Sequence, residues 1–340
     1  MSRTALAGSA SLALACWTGG PNGPRIQVTI PPGATLTAAA ESLHARGVIG
    51  SATSFRFLAR ALGKSDEIKA GVYEFVPHMP VLDALGVLTS GHEALRRLGI
   101  VEGLMLPELA EAVELQLGVA PREFIAAASD SALARRAGAP RPLLDGYLYP
   151  STYLVRHGVT APELVTMMVT EFERQWRRPW TARLDSLQMT RHQIVTLASI
   201  IEGEVLYPPD RKYVSSVYHN RLRRGMRLQA DPTVIYALGR RRRLFERDYQ
   251  VRSPYNTYLV DGLPPGPIGQ PAAASLEAAL YPAETRFLYL VAQPDGKHVF
   301  SRTYPEHLQA VRAVRQAGRA AAPSPAPRVL PTAPPRPPRP

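Results

Sequence analysis

Apolar and polar residues alternate from Arg25 to Ile30, a period of two that predicts a strand, and Pro31-Pro32-Gly33 supplies the turn that ends it. From Thr35 to Arg46 the spacing changes to that of a helix, with Leu36, Ala39, Ala40 and Leu43 on one face and Gly47 as the stop. A second helix is predicted over Ser54 to Leu62, a strand over Ala70 to Phe75 and a short helix over Val81 to Leu88. The order strand, helix, helix, strand describes a compact α+β module. Beyond it, the apolar run at Leu98 predicts another strand, followed by helices that begin near Pro107 and Pro121. From Leu144 onward glycine, proline, tyrosine and asparagine gather in short blocks between helical stretches, the pattern of binding loops mounted on a scaffold.

The most regular of those stretches is TRHQIVTLASIIEGEVL, Thr190 to Leu206. On a helical wheel Ile194, Val195, Leu197, Ala198 and Ile201 share one apolar arc. Glu202 falls inside that arc and Glu204 at its edge. Burial disfavours an ionised carboxylate, so Glu202 is expected to hold a proton near neutral pH, the state a general acid needs. Two later blocks carry sugar-gripping groups. VYHNRLRRGMRLQADPTVIY, from Val217, offers Asn220, Arg221, Gln229 and Asp231, with Tyr218, Met226 and Tyr236 as apolar floor. SPYNTYLVDGLPPGPIGQ, from Ser253, contributes Tyr255, Asn256 and Thr257 within a loop stiffened by proline.

Composition narrows the class of molecule. At 45% hydrophobic residues over 340 positions the chain has material for more than one core, which excludes a disordered protein. The last residues, 320–340, are dominated by proline and read as a disordered tail. A formal charge of +12, from 40 basic and 28 acidic residues, favours anionic partners such as lipid surfaces or wall polymers. The run Arg240 to Arg243 lacks interleaved aromatics and is expected to be a solvated loop rather than a nucleic-acid platform. The single cysteine excludes internal disulfides and cysteine-based zinc sites. Cys16 closes a short apolar run after Arg3, so residues 1–20 read as a signal or anchor segment. Lipidation of Cys16, cleavage at an A-x-A site formed by Ala13 and Ala15, or a longer anchor lost upstream all fit, and each places the body outside the cytoplasm.

Five segments, LDGYLYPSTY at Leu144, ASIIEGE at Ala198, VYHNRLRRGMRLQADPTVIY at Val217, SPYNTYLVDGLPPGPI at Ser253 and GKHVFSRTYPEH at Gly296, together resemble the ordered motifs of the endolytic murein transglycosylases, the MltG or YceG-like family. The resemblance runs from Ile26 to Ala313. It implies an α+β fold with a small LysM-like module over 25–91 and a larger mixed α+β catalytic domain over 98–319. It implies Glu202 as the catalytic residue, with Asn220, Gln229, Asp231, Tyr255, Asn256 and Thr257 lining a glycan cleft. Departures from the family pattern are Gly203 for lysine, Ser151 for aspartate, Gln270 for asparagine and Leu308 for asparagine.

The activity so implied is cleavage of the MurNAc–GlcNAc bond within peptidoglycan strands, leaving 1,6-anhydro-MurNAc ends. One glutamate suffices because the nucleophile belongs to the substrate, and no cofactor or metal is expected. His219 and His298 read as structural residues. The implied setting is the extracytoplasmic face of the inner membrane, with peptidoglycan strands as substrate, peptidoglycan synthases as neighbours and no nucleic acid. Two rivals stay open: a wall glycoside hydrolase using water, with Asp231 or Glu204 as second carboxylate, and a peptidoglycan-binding scaffold without catalysis.

Overall fold

A computed structural model describes residues 25–321, so the expectations for the N-terminal segment with Cys16 and for most of the proline-rich tail lie outside the described residues. The fold is α+β, with helices predominating and strands confined to three two-stranded sheets. The chain divides into two compact units, one reaching Leu98 and including Thr152–Val159, the other made of Gly99–Ser151 and the chain from Thr160.

In the first unit, strand β1 (Ile26–Ile30) pairs antiparallel with β2 (Gly71–Phe75), Val28 facing Tyr73 and Ile30 facing Gly71. Helix α1 (Leu36–Ala45) starts where the side chain of Thr35 accepts the Ala38 N–H, and α2 (Ala52–Ala61) starts on Ser51 in the same way. Helix α3 (Val81–Ser90) ends at Gly91, whose φ of 71° is the left-handed cap that glycine adopts without strain. The inward residues of β1 and β2 meet Leu43, Phe55 and Leu85 in one apolar core. Strand β3 (Arg96–Gly99) pairs with β4 (Thr152–Val155), a return of the chain that no composition change marks.

The second unit begins with α4 (Leu106–Leu117), α5 (Pro121–Ala127) and α6 (Ser131–Ala137), then α7 (Ala161–Gln175) and α8 (Arg178–Leu187). Its centre is α9 (Arg191–Glu204), opened by a capping box between Thr190 and Gln193. All residues of α9 from Ile194 to Ile201 are buried, Thr196 and Ser199 included. The single apolar arc expected from the wheel is thus too narrow, because α9 packs against α10 (Arg211–Arg223), α11 (Asp231–Leu238) and α12 (Ala273–Leu280) at once. A hairpin of β5 (Tyr289–Ala292) and β6 (His298–Ser301) follows, and α13 (Tyr304–Ala321) lies against it.

Candidate active site

The loop from Ser253 to Gln270 is rigid because its polar groups are tied down. His192 holds the Pro265 carbonyl at 3.0 Å, the Ile268 N–H donates to Ser199 Oγ at 3.0 Å, and Gln270 exchanges backbone bonds with Gly103 and Leu104. The buried Gln270 side chain accepts the N–H groups of Gly146 and Leu148 and donates to Asp145 at 2.7 Å. Asp145 also receives the Tyr236 hydroxyl, yet burial pushes its carboxyl up to about 7. Glutamine therefore does at position 270 what needs its length, bridging a carboxylate and two amides.

Earlier in the same loop, Asn256 and Thr257 are fully buried. Asn256 donates to the carbonyls of Tyr249 and Val251 and accepts the Tyr258 N–H, while Thr257 Oγ1 accepts the Ala230 N–H and bonds Thr233. These side-chain bonds all stay within the fold, and neither residue lines the cavity described below. Asn220 is similar: it donates to the carbonyls of Thr285 and Phe287 and accepts from Arg223. Tyr255 packs on Tyr236 at 4.6 Å and does not line the cavity described next.

Tyr258 of the same loop lines a cavity of about 470 Å³. Glu204 at the end of α9, Tyr218 and Arg221 on α10, and Gln229 and Asp231 at the start of α11 form one side. Tyr249 and Tyr258 form another, and β5 with His307 and Arg315 of α13 closes it. The Arg221 guanidinium is oriented by the carbonyls of Leu288 and Leu228, both at 2.6 Å. Gln229 sits at φ 49°, a left-handed conformation costly for a residue with a side chain, held by its N–H to Thr257 O at 3.1 Å. Both oxygens of Asp231 are occupied, one by the Tyr258 hydroxyl at 2.6 Å and one by the Tyr249 hydroxyl at 3.4 Å.

The two glutamates of α9 differ sharply. Glu202 is withdrawn, its side chain only 4% exposed, with one oxygen on Arg211 at 3.2 Å and the other accepting the Ala272 N–H at 2.9 Å. It is not among the residues lining the cavity. Glu204 does line it, and its Oε2 is buried without any partner. Burial first, and the nearby Asp231 second, push its carboxyl up to about 7, against the opposing pull of Tyr218 and Arg221.

Of the residues the sequence nominated, Glu204, Tyr218, Arg221, Gln229 and Asp231 therefore meet in the cavity; Glu202, Asn220, Tyr255, Asn256 and Thr257 are not among its lining residues. Tyr249, Tyr258, His307 and Arg315 were not nominated. For the two tyrosines the signal was present, since both flank the nominated loop residues. The Arg240–Arg243 run is also more than a solvated loop: Arg241 binds Glu108 and the Gly103 carbonyl, and Arg242 grips Asp248 through two bonds, holding that carboxyl down at about 2. His219 Nε2 donates to the Ala279 carbonyl, and His298 pairs with Asp210, both away from the cavity.

A model of the YceG-like family matches residues 28–313, most of the chain. The chain belongs to the YceG-like family. It is 31% identical over 301 residues to the endolytic murein transglycosylase of Bacillus subtilis strain 168, covering 84% of this chain and 83% of that one. With the endolytic murein transglycosylase of Streptococcus pneumoniae serotype 2 it shares 28% identity over 315 residues, which is 83% of this chain and 57% of the relative. A crystal structure of a yceG-like protein from Listeria monocytogenes superposes with a TM-score of 0.60 at 33% identity, covering 84% of this chain and 98% of the other.

Proposed function

We propose that this YceG-like chain is an endolytic peptidoglycan lytic transglycosylase and that Glu204, not Glu202, is its acid and base. The observation that carries the assignment is that Glu204 lines a cavity of sugar-compatible side chains while its Oε2 is buried without a hydrogen-bond partner. A carboxyl titrating at about 7 is protonated in a large fraction of molecules at neutral pH, which a general acid requires. Glu202 is unsuited because both of its oxygens are engaged in holding α9 to Arg211 and Ala272.

In this mechanism Glu204 gives its proton to the oxygen joining MurNAc C1 to GlcNAc, and that bond breaks with positive charge developing at C1. The carboxylate left behind removes the proton from the C6 hydroxyl of the same MurNAc as O6 bonds to C1. One strand ends in a 1,6-anhydro ring, the other in a free GlcNAc hydroxyl, and Glu204 is protonated again. Gln229 and Arg221 supply donors for acetamide or hydroxyl oxygens, and Tyr258 and Tyr249 supply flat surfaces for sugar rings. The water-using alternative needs a second carboxylate able to attack or to activate water. Asp231 is poorly placed for that, with both oxygens bound to phenol hydroxyls.

The βααβ order of the first unit supports a LysM-like glycan-holding module there. A wall substrate puts the site outside the cytoplasm, beside the synthases that make its strands. Digestion of purified peptidoglycan by the full chain, with mass measurement of the new ends, tests the reaction: anhydro ends are expected, reducing ends would assign a hydrolase, and no cleavage would leave a binding scaffold. Glu204→Gln is expected to stop cleavage while Glu202→Gln retains it.

A further inference from the structure

A second cavity, of about 620 Å³, shares no lining residue with the one containing Glu204. Four arginines, Arg183, Arg223, Arg286 and Arg302, line it against one acid, Glu284. Among the described residues none of the four is in an ion pair with a carboxylate. Like charges gathered around one hollow repel each other, and an anion entering it relieves that repulsion.

Two of the guanidiniums are aimed by neutral acceptors that leave their charge uncompensated. Arg183 donates to the Leu280 carbonyl and to Ser186 Oγ, both at 3.1 Å, and Arg223 donates to Asn220 Oδ1. The wall opposite is fixed as well: Asn220 holds the Thr285 and Phe287 carbonyls at 3.1 and 2.8 Å, and Thr285 Oγ1 meets Ser216 Oγ at 2.8 Å. Asn220, nominated from the sequence as a sugar contact, thus organises this hollow instead. Leu187 and Arg223 are common to it and to a neighbouring cavity of about 720 Å³, whose lining includes Met189, Leu222, Leu263 and Pro264. A charged hollow therefore opens beside a more apolar one.

We infer that the arginine-lined cavity is a binding site for a phosphate-bearing ligand, because four guanidinium forks, two of them pre-aimed, match the oxygens of a phosphate or pyrophosphate group. The ligand is either a free phosphate compound or the headgroup of a lipid whose chain follows Leu222 and Leu263. The site stands apart from the reading of Glu204 and survives its failure.

Calorimetric titration of the full chain with inorganic pyrophosphate and with geranyl pyrophosphate, in low salt, tests it. Binding of at least one is expected, weakened about a hundredfold in the double variant Arg286→Gln/Arg302→Gln, since each lost charge-assisted contact is worth roughly tenfold. Among the described residues neither makes a side-chain hydrogen bond, and the corresponding double lysine variant, which keeps the charge, is expected to stay within about tenfold of the parent. Glu204→Gln is expected to bind as the parent does. Tighter binding of geranyl pyrophosphate assigns the site to a lipid headgroup, and equal binding assigns it to a free phosphate compound. No binding of either ligand by the parent, or equal binding by the double glutamine variant, overturns the inference.

Discussion

Replacing Glu204 with glutamine separates a catalytic carboxyl from a structural one, because the two differ in what the change does to stability. In the folded chain the Glu204 carboxyl titrates at about 7 against an ordinary 4.5. The folded state therefore binds the proton more tightly than the unfolded state, and the stability this group contributes is full below pH 4.5 and lost as the pH rises to about 7. At 1.36 kcal/mol for each unit, a gap of about 2.5 units amounts to roughly 3 kcal/mol of stability surrendered at pH 8. Glutamine carries no charge and surrenders none. Urea unfolding of parent and variant at pH 4 and pH 8 is expected to show the variant gaining roughly 3 kcal/mol on the parent between the two conditions. Asp145, which titrates in the same range, is present in both proteins and cancels in the difference. The same variant is expected to lose about a thousandfold in strand cleavage. Parent cleavage is expected to fall as the pH rises past about 7, where the acid loses its proton. A stability difference that does not change with pH would refute the claim that this carboxyl is held in a charge-averse place, and undiminished cleavage would refute its role.

Glu202→Gln is expected to lower stability by about 1–3 kcal/mol in denaturant titrations, by weakening a buried ion pair, while keeping more than a tenth of parental cleavage. Tyr258→Phe removes the donor at 2.6 Å from Asp231 and is expected to raise KM several-fold with little change in kcat, measured on soluble glycan strands. Gln270→Asn, though it restores the family's residue, is expected to cost about 2–4 kcal/mol in thermal unfolding, because the shorter amide cannot reach Asp145, Gly146 and Leu148 together.

The part of the first unit from β1 to α3 was legible because its elements show clean periods, such as alternation in Ile26–Ile30 and a single apolar stripe in α1 sealed by a Thr35 cap. The wheel drawn on α9 was informative in another way. It put Glu202 inside the apolar arc and Glu204 at its margin, and the arc interior is where helices pack while the margin is where packing gives way to a cavity. A wheel cannot reveal that Arg211 and the Ala272 amide wait for the inner carboxylate, since both come from other segments. Polar loop residues misled for a related reason. A loop with many unpaired carbonyls and amides needs Asn256 and Thr257 to satisfy them, so their polarity was consumed by the turn before any sugar arrives. Tyr258, next in line, is the one whose hydroxyl reaches the cavity carboxylate.

Helix α13 contributes His307, Val311, Val314 and Arg315 to the wall of the cavity that holds Glu204, roughly a hundred positions after that residue. In a chain made from its N-terminus Glu204 therefore exists well before the segment that encloses its pocket. The proton transfer proposed for Glu204 thus has no enclosed groove to work in until α13 has packed against the β5–β6 hairpin.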